Sequence, residues 1–191
     1  MATAPFPRLT EEEYVRIERA ARFKSEFING EMCAMAGGTS RHSLLEVGIG
    51  AELRALLKGK PCRVYSSSFR VRVPGGEQRY PDASVVCGPT QFHAGARDIF
   101  TNPVLVVEVL SPSTANYDRG AKFEIYKTIP SLRDYLLIHQ NSIFAEHFTK
   151  NSDGSWTLNE DGGADAIIPL PNIECEFHLD SVYDGVMDEP V

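Results

Sequence analysis

Residues 103–110 read PVLVVEVL, a compact β-branched run of the kind found in strands buried on both faces, and they are expected to form a central strand. Glu108 is the only charge between Val104 and Leu110. A lone buried carboxylate is costly unless it is paired, protonated or bound to a metal, so something must stabilise this one. Two readings stand: a buried salt bridge, for example to an arginine of a neighbouring hairpin, or an acid held inside the sheet for its chemistry.

The flanking text supplies neighbours for that strand. Thr10 and Glu13 form a capping box ahead of a helix from Glu11 to about Arg22. Asn29-Gly30 between apolar runs marks a hairpin, with Glu31 just past its turn. Leu45, Ile49, Leu53, Leu56 and Leu57 recur at helical spacing after Ser40, a candidate cap, and stop at Gly59 and Pro61. CRVYSSSFRVRV and QRYPDASVVC around PGGE read as two antiparallel strands. Downstream, AKFEIYKTI reads as a short helix, DYLLIHQ and IFAEHFT as a hairpin, SWTLNE as a third strand, and DSVYDGV as a closing helical turn. The expected fold class is α/β in the broad sense, an α+β mixed sheet with flanking helices and extra hairpins. The 191 residues suffice for one core, and a single domain over residues 1–191 is expected.

Hydrophobic residues at 42% and charged residues at 24% exclude fibrous and disordered classes, and no apolar run reaches the ~18 residues of a membrane span. The N-terminal MATAPFPRLTEEEY lacks a basic start and an apolar signal segment, so a cytoplasmic location is expected and no membrane contact. Cys33, Cys62, Cys87 and Cys175 show no metal-ligand spacing and read as reduced core thiols. A net charge of -7 discourages binding to polyanions. Between Lys58 and Arg79, however, six basic residues stand against Glu77 alone. Arg63, Arg70, Arg72 and Arg79 could there face a phosphate backbone, or form a solvated strand face.

Asp82 follows Pro81 at a strand entrance and shares its face with Ser84 and Val86, so it can point the same way as Glu108 if the two strands are neighbours. Two convergent carboxylates make a hard-oxygen cation site that suits Mg²⁺, with Mn²⁺ as a substitute; a turn-capping aspartate is the alternative. Lys122 lies in the helix after the Glu108 strand, with Asp118 and Tyr126 four residues away on either side. Its ammonium could bind a phosphoryl oxygen, or simply pair with Asp118 on the surface.

GEMCAMAGGTSRH, YPDASVV and NPVLVVEVLSPSTANYDRGAKFEIYKTIPSLRDYLLI, in that order, resemble the Uma family of restriction-endonuclease-like bacterial proteins, over about Glu13 to Val186. That family is similar to the PD-(D/E)XK nuclease superfamily. The resemblance implies a restriction-endonuclease-like core, with Asp82 and Glu108 as metal ligands and, together with Lys122, as the catalytic set. The superfamily's usual lysine position, two residues after the second acid, holds Leu110 here, and Lys122 is its expected replacement. His42, in the family's SRH pattern, and Glu31, in its GE, are further candidates, each with a structural alternative; Tyr126 shares the Lys122 face. The resemblance thus implies a Mg²⁺-dependent endonuclease acting on nucleic acid, DNA in particular, and a homodimer, since one site cuts one strand. A non-catalytic binding or scaffold protein with the same fold is the main alternative, and a hydrolase of smaller phosphate esters a third reading.

Overall fold

A computed structural model describes residues 8–35 and 37–190; the leader reading of residues 1–7 therefore lies outside the described residues. In chain order the elements are α1 (Glu11–Ala20), β1 (Ser25–Ile28), β2 (Glu31–Ala34), α2 (Ser40–Leu56), β3 (Cys62–Ser66), β4 (Arg70–Arg72), β5 (Gln78–Arg79), β6 (Ala83–Cys87), β7 (Ile99–Phe100) and β8 (Leu105–Leu110). A helical stretch follows, α3 (Ala115–Tyr117), a π turn (Asp118–Lys122) and α4 (Phe123–Tyr126). Then come β9 (Asp134–His139), β10 (Phe144–Lys150), β11 (Trp156–Gly162), β12 (Ile167–Leu170), β13 (Cys175–His178) and α5 (Leu179–Tyr183).

The six-stranded sheet runs β11-β10-β9-β8-β6-β3, and β8 is central as its apolar run predicts. All six residues of β8 are buried, with β9 parallel on one side and β6 antiparallel on the other. Odd and even residues of β8 face opposite layers, as the period of two requires. Val107 and Val109 join a core with Leu45, Ile49 and Leu53 of α2 and with Phe177 and Val182 near the C-terminus. Val106 and Leu110 join a second core with Phe123, Tyr126 and Tyr135. Burying each such side chain contributes roughly 1.5–3 kcal/mol. A smaller sheet, β2-β1-β5-β4-β7, stands beside this second layer.

Local chemistry sets several elements. The Thr10 hydroxyl accepts from Glu13 N at 3.2 Å and the Glu13 carboxylate accepts from Thr10 N at 2.8 Å, completing the expected capping box. Helix α1 ends at Ala20, two residues short of expectation. Asn29 and Gly30 both adopt positive φ, 50° and 84°, as a tight type I′ hairpin demands. Helix α2 is capped by Thr39 rather than Ser40. At Gly48 the helix meets α5 so closely that a Cβ would lie 2.8 Å from Val182 O.

Two expectations need correction. The segment from Cys62 to Cys87 is not one hairpin: β4 pairs with β5 in the small sheet while β3 pairs with β6 in the large one. The serine run 66–68 and Pro81 interrupt the strands and let the chain change sheets. The cysteines are not all reduced either. Cys62 and Cys87 are in register across β3 and β6 and form a disulfide, leaving Cys33 and Cys175 free. Closing a loop of 25 residues stabilises by about 3 kcal/mol in the chain-entropy account. Dithiothreitol is accordingly expected to lower the thermal midpoint of the wild type but not of Cys62→Ala/Cys87→Ala, as followed by circular dichroism. Among the described residues no helix is long and apolar enough to cross a membrane.

Candidate active site

The register of β6 and β8 builds the site. Ala83 pairs with Val107 and Ser84 with Val106, which places Asp82 one step beyond the last pair, opposite Glu108. There the Asp82 carboxylate replaces the ladder: its Oδ2 accepts from Val109 N at 2.6 Å. Its Oδ1 lies 3.2 Å from Nε2 of His42, in the first turn of α2. Asp82 as a strand-entrance residue aligned with Glu108 is therefore what the geometry shows.

Glu108 is 3% exposed. Lys122 Nζ lies 2.8 Å from its Oε2, and Tyr126 donates its hydroxyl to Oε1 at 3.0 Å. The buried partner of Glu108 is thus a lysine from the following helical stretch, not an arginine of a hairpin. Lys122 also reaches Asp118 Oδ1 at 3.3 Å, and both are buried, so the surface-pair alternative fails on burial. Both belong to the π turn, a local widening frequent at functional sites. Burial opposes charge on Lys122, yet Glu108 first, then Glu26 and Asp118, hold its ammonium above the ordinary lysine value. Burial pushes Glu108 upward, and the Lys122 charge works against that push. A hydrogen bond to Asp82, followed by opposing desolvation, raises His42.

These groups line a cavity of about 530 Å³ that includes Glu26, His42, Asp82, Glu108, Asp118 and Lys122. Glu26 comes from β1 of the smaller sheet, so the cavity lies where the two sheets meet. A larger cleft of about 730 Å³ between α1 and residues 93–97 has no comparable set of buried charges.

Other expected residues lie elsewhere. Glu31 is exposed at the start of β2 and does not line the cavity. The arginines marked for a phosphate backbone are largely engaged within the protein. Arg79 is fully buried, with Nη1 donating to Phe27 O at 2.7 Å, Nη2 2.7 Å from Glu77 Oε2 and Nε 3.7 Å from Glu26 Oε2. Arg70 is 2% exposed and pairs with Asp98. Arg72 holds Glu11 through two bonds of 2.6 and 2.8 Å. Only Arg63 is exposed, on edge strand β3. The basic stripe is therefore corrected for three of its arginines: Arg70 is held by Asp98, Arg72 by Glu11, and Arg79 by Glu77 and Glu26. Sequence reasoning also passed over Glu26 and Glu46. Glu26 carried the same sign as Glu108, an acid inside a short buried strand, and Glu46 stands four residues after His42 on one helix.

Comparison with known proteins agrees with this architecture. The Uma2 family, described as "Putative restriction endonuclease", matches residues 11–181. The chain belongs to the Uma2 family. Two uncharacterized proteins of Synechocystis sp. are similar along most of their length: slr1290 is 38% identical, covering 96% of each chain, and sll1609 is 36% identical, covering 88% of this chain and 96% of its own. A crystal structure titled as a putative nuclease belonging to DUF820 from Anabaena variabilis superposes with a TM-score of 0.74 over 93% of this chain and 99% of that one. At 16% identity this likeness speaks to the fold, a restriction-endonuclease-like core.

Proposed function

We propose that this Uma2 protein is a metal-dependent endonuclease that hydrolyses phosphodiester bonds, with DNA as its substrate. The observation that carries the proposal is the meeting of Asp82, Glu108 and Lys122 at one cavity wall, two acids facing across adjacent strands and an ammonium 2.8 Å from one of them.

The donor set fits a divalent cation. Asp82 and Glu108 present hard oxygens from neighbouring strands, and four carboxylates line the cavity with Lys122, the one lysine or arginine in its wall among the described residues. Asp82 and Glu108 would hold Mg²⁺ or Mn²⁺, which supplies Lewis acidity and a water of lowered pKa. The chain's own residues do the rest. Val109 N–H and the Tyr126 hydroxyl each fix one carboxylate oxygen, so the acids are oriented before substrate arrives. Lys122, kept protonated by its acidic neighbours, offers positive charge to a phosphoryl oxygen as negative charge develops. It reaches the site from the π turn, which accounts for Leu110 in the position where the superfamily carries lysine. Because Arg70, Arg72 and Arg79 are engaged internally, backbone affinity must come from other groups, with Arg63 the one remaining from the original set.

Supercoiled plasmid and single-stranded RNA incubated with the purified chain test this reading. Nicking or linearising of plasmid with Mg²⁺ or Mn²⁺, abolished by EDTA, is the expected result. RNA cleavage alone would move the substrate class, and no cleavage of either with metal bound would favour a non-catalytic binding role.

A further inference from the structure

The cleft of about 730 Å³ between α1 and residues 93–97 shares no lining residue with the cavity of Asp82, Glu108 and Lys122. Arg16 lines it from the helix wall and Arg97 from the loop wall, and both are exposed. Among the described residues neither makes an ion pair or a side-chain hydrogen bond. We propose that this cleft binds a nucleoside monophosphate, free or as the phosphorylated end of a strand, with its phosphate between Arg16 and Arg97 and its base over the apolar floor of Val15 and Ile99.

The two walls are braced at both ends of the cleft. At one end Arg72 holds Glu11 through bonds of 2.6 and 2.8 Å, and Gln78 adds a third at 2.9 Å. His93 of the loop stands 3.4 Å from the same carboxylate. At the other end, about two turns along α1, Arg19 holds Asp98 at 3.1 and 2.6 Å, and the buried Arg70 takes the same aspartate. These acids are engaged already, which leaves them poor partners for Arg16 and Arg97. Glu12 stands four residues before Arg16 on the same helix, yet makes no ion pair with it among the described residues. Two arginines thus face one cleft with their mutual repulsion uncompensated. The loop wall is closed by its own backbone: His93 N donates to Ile99 O at 3.0 Å and Ala96 N to His93 O at 2.7 Å. Ala94 is held at a φ of 43°, followed by Gly95 at 73°. A residue with a side chain keeps such a conformation only where its surroundings impose it, and residues of this kind cluster at ligand clamps.

The wall chemistry selects the ligand. A guanidinium matches phosphate through two parallel hydrogen bonds, and a pair of them brackets a dianion. A bare phosphate would leave Val15 and Ile99 uncovered, whereas a flat base covers them and stacks on a guanidinium plane. The cleft volume lies within the roughly 300–1,000 Å³ of small-molecule sites. The acidic cavity has the opposite preference, since its four carboxylates repel phosphate when no divalent ion is bound. Binding in the cleft needs no cleavage, so the proposal does not rest on the hydrolytic reading.

Titration calorimetry of the full-length protein in EDTA, with deoxyadenosine 5′-monophosphate as the probe, tests the site. Wild type is expected to bind the monophosphate, and deoxyadenosine at least about tenfold more weakly, the scale of losing hydrogen bonds to a charged group. Arg16→Gln and Arg97→Gln should each weaken binding by a similar factor. Both arginines are exposed, and unfolding curves check that the variants remain folded. Ala96→Trp, which fills the cleft without touching its charges, should abolish binding, and Asp82→Asn should bind as wild type does. A 5′-phosphorylated tetranucleotide tells the two sources apart: binding as tight as that of the monophosphate places a strand end in the cleft, and failure to bind restricts it to the free nucleotide. Folded wild type that binds neither probe, binding unchanged in both arginine variants, or deoxyadenosine bound as tightly as its monophosphate overturns the proposal. Plasmid nicking that fails while the monophosphate binds would count against the hydrolytic reading alone.

Discussion

Lys122→Met is expected to destabilise the fold by about 3–5 kcal/mol, the range for removing one partner of a buried ion pair. The reason is the company that Lys122 keeps: Glu108 at 2.8 Å and Asp118 at 3.3 Å, both 3% exposed, lose the one ammonium close to them among the described residues. The deficit should depend on pH in a definite direction. Burial already pushes the Glu108 carboxyl upward, and without the lysine that push is unopposed. A carboxyl whose pKa rises on folding binds its proton more readily in the native state. Its cost is therefore absent below the unfolded value of about 4.3 and grows as pH rises toward the folded value. Urea unfolding in metal-free buffer at several pH values should show the gap between variant and wild type widening from acid to neutral pH. A small gap that does not change with pH would mean that Lys122 is not the counter-ion of Glu108.

Arg79→Met carries the second large effect, again about 3–5 kcal/mol of stability. Arg79 is fully buried between the sheets, and its guanidinium serves Phe27 O, Glu77 and Glu26. Methionine fills similar volume but strands two acids and a buried carbonyl. Arg79→Lys is expected to lie between, because an ammonium keeps the charge but cannot reproduce a planar fork that reaches three acceptors. The same experiment separates an internal role from a phosphate contact. An arginine that touched nucleic acid would leave unfolding unchanged and alter the salt dependence of binding instead.

Parts of this organisation were legible in the chain, and the reasons differ by residue. The central strand followed from an uninterrupted apolar run, and Glu108 stood out as the one charge inside it. Asp82 followed from strand periodicity and Pro81, and the register of β6 with β8 places it where that periodicity pointed. Helical phase put Lys122 with Asp118 and Tyr126, but burial could not be read from spacing, so a surface pair remained open until the helix was seen packed on the sheet. What failed were statements that depended on distant partners. Arg70 and Arg72 look like free cations because Asp98 and Glu11 lie 28 and 61 residues away in sequence, and Arg79 because Phe27 O, which it serves besides the nearby Glu77, lies 52 away. Cys62 and Cys87 look unrelated for the same reason: only the register of β3 on β6 brings them face to face. Glu46 was readable at i+4 from His42, but its nearness to Asp82 depended on where the fold would place that aspartate.

The central claim is that Asp82, Glu108 and Lys122 act together as the hydrolytic set. It is tested most directly by the rate of plasmid nicking at saturating Mn²⁺ for wild type, Asp82→Asn, Glu108→Gln and Lys122→Ala, each compared at equal folded fraction. The account predicts metal-dependent nicking by wild type and losses of at least about a hundredfold in every variant, the scale of removing one electrostatic stabiliser. Nicking that persists at the wild-type rate in folded Glu108→Gln or Asp82→Asn would contradict it.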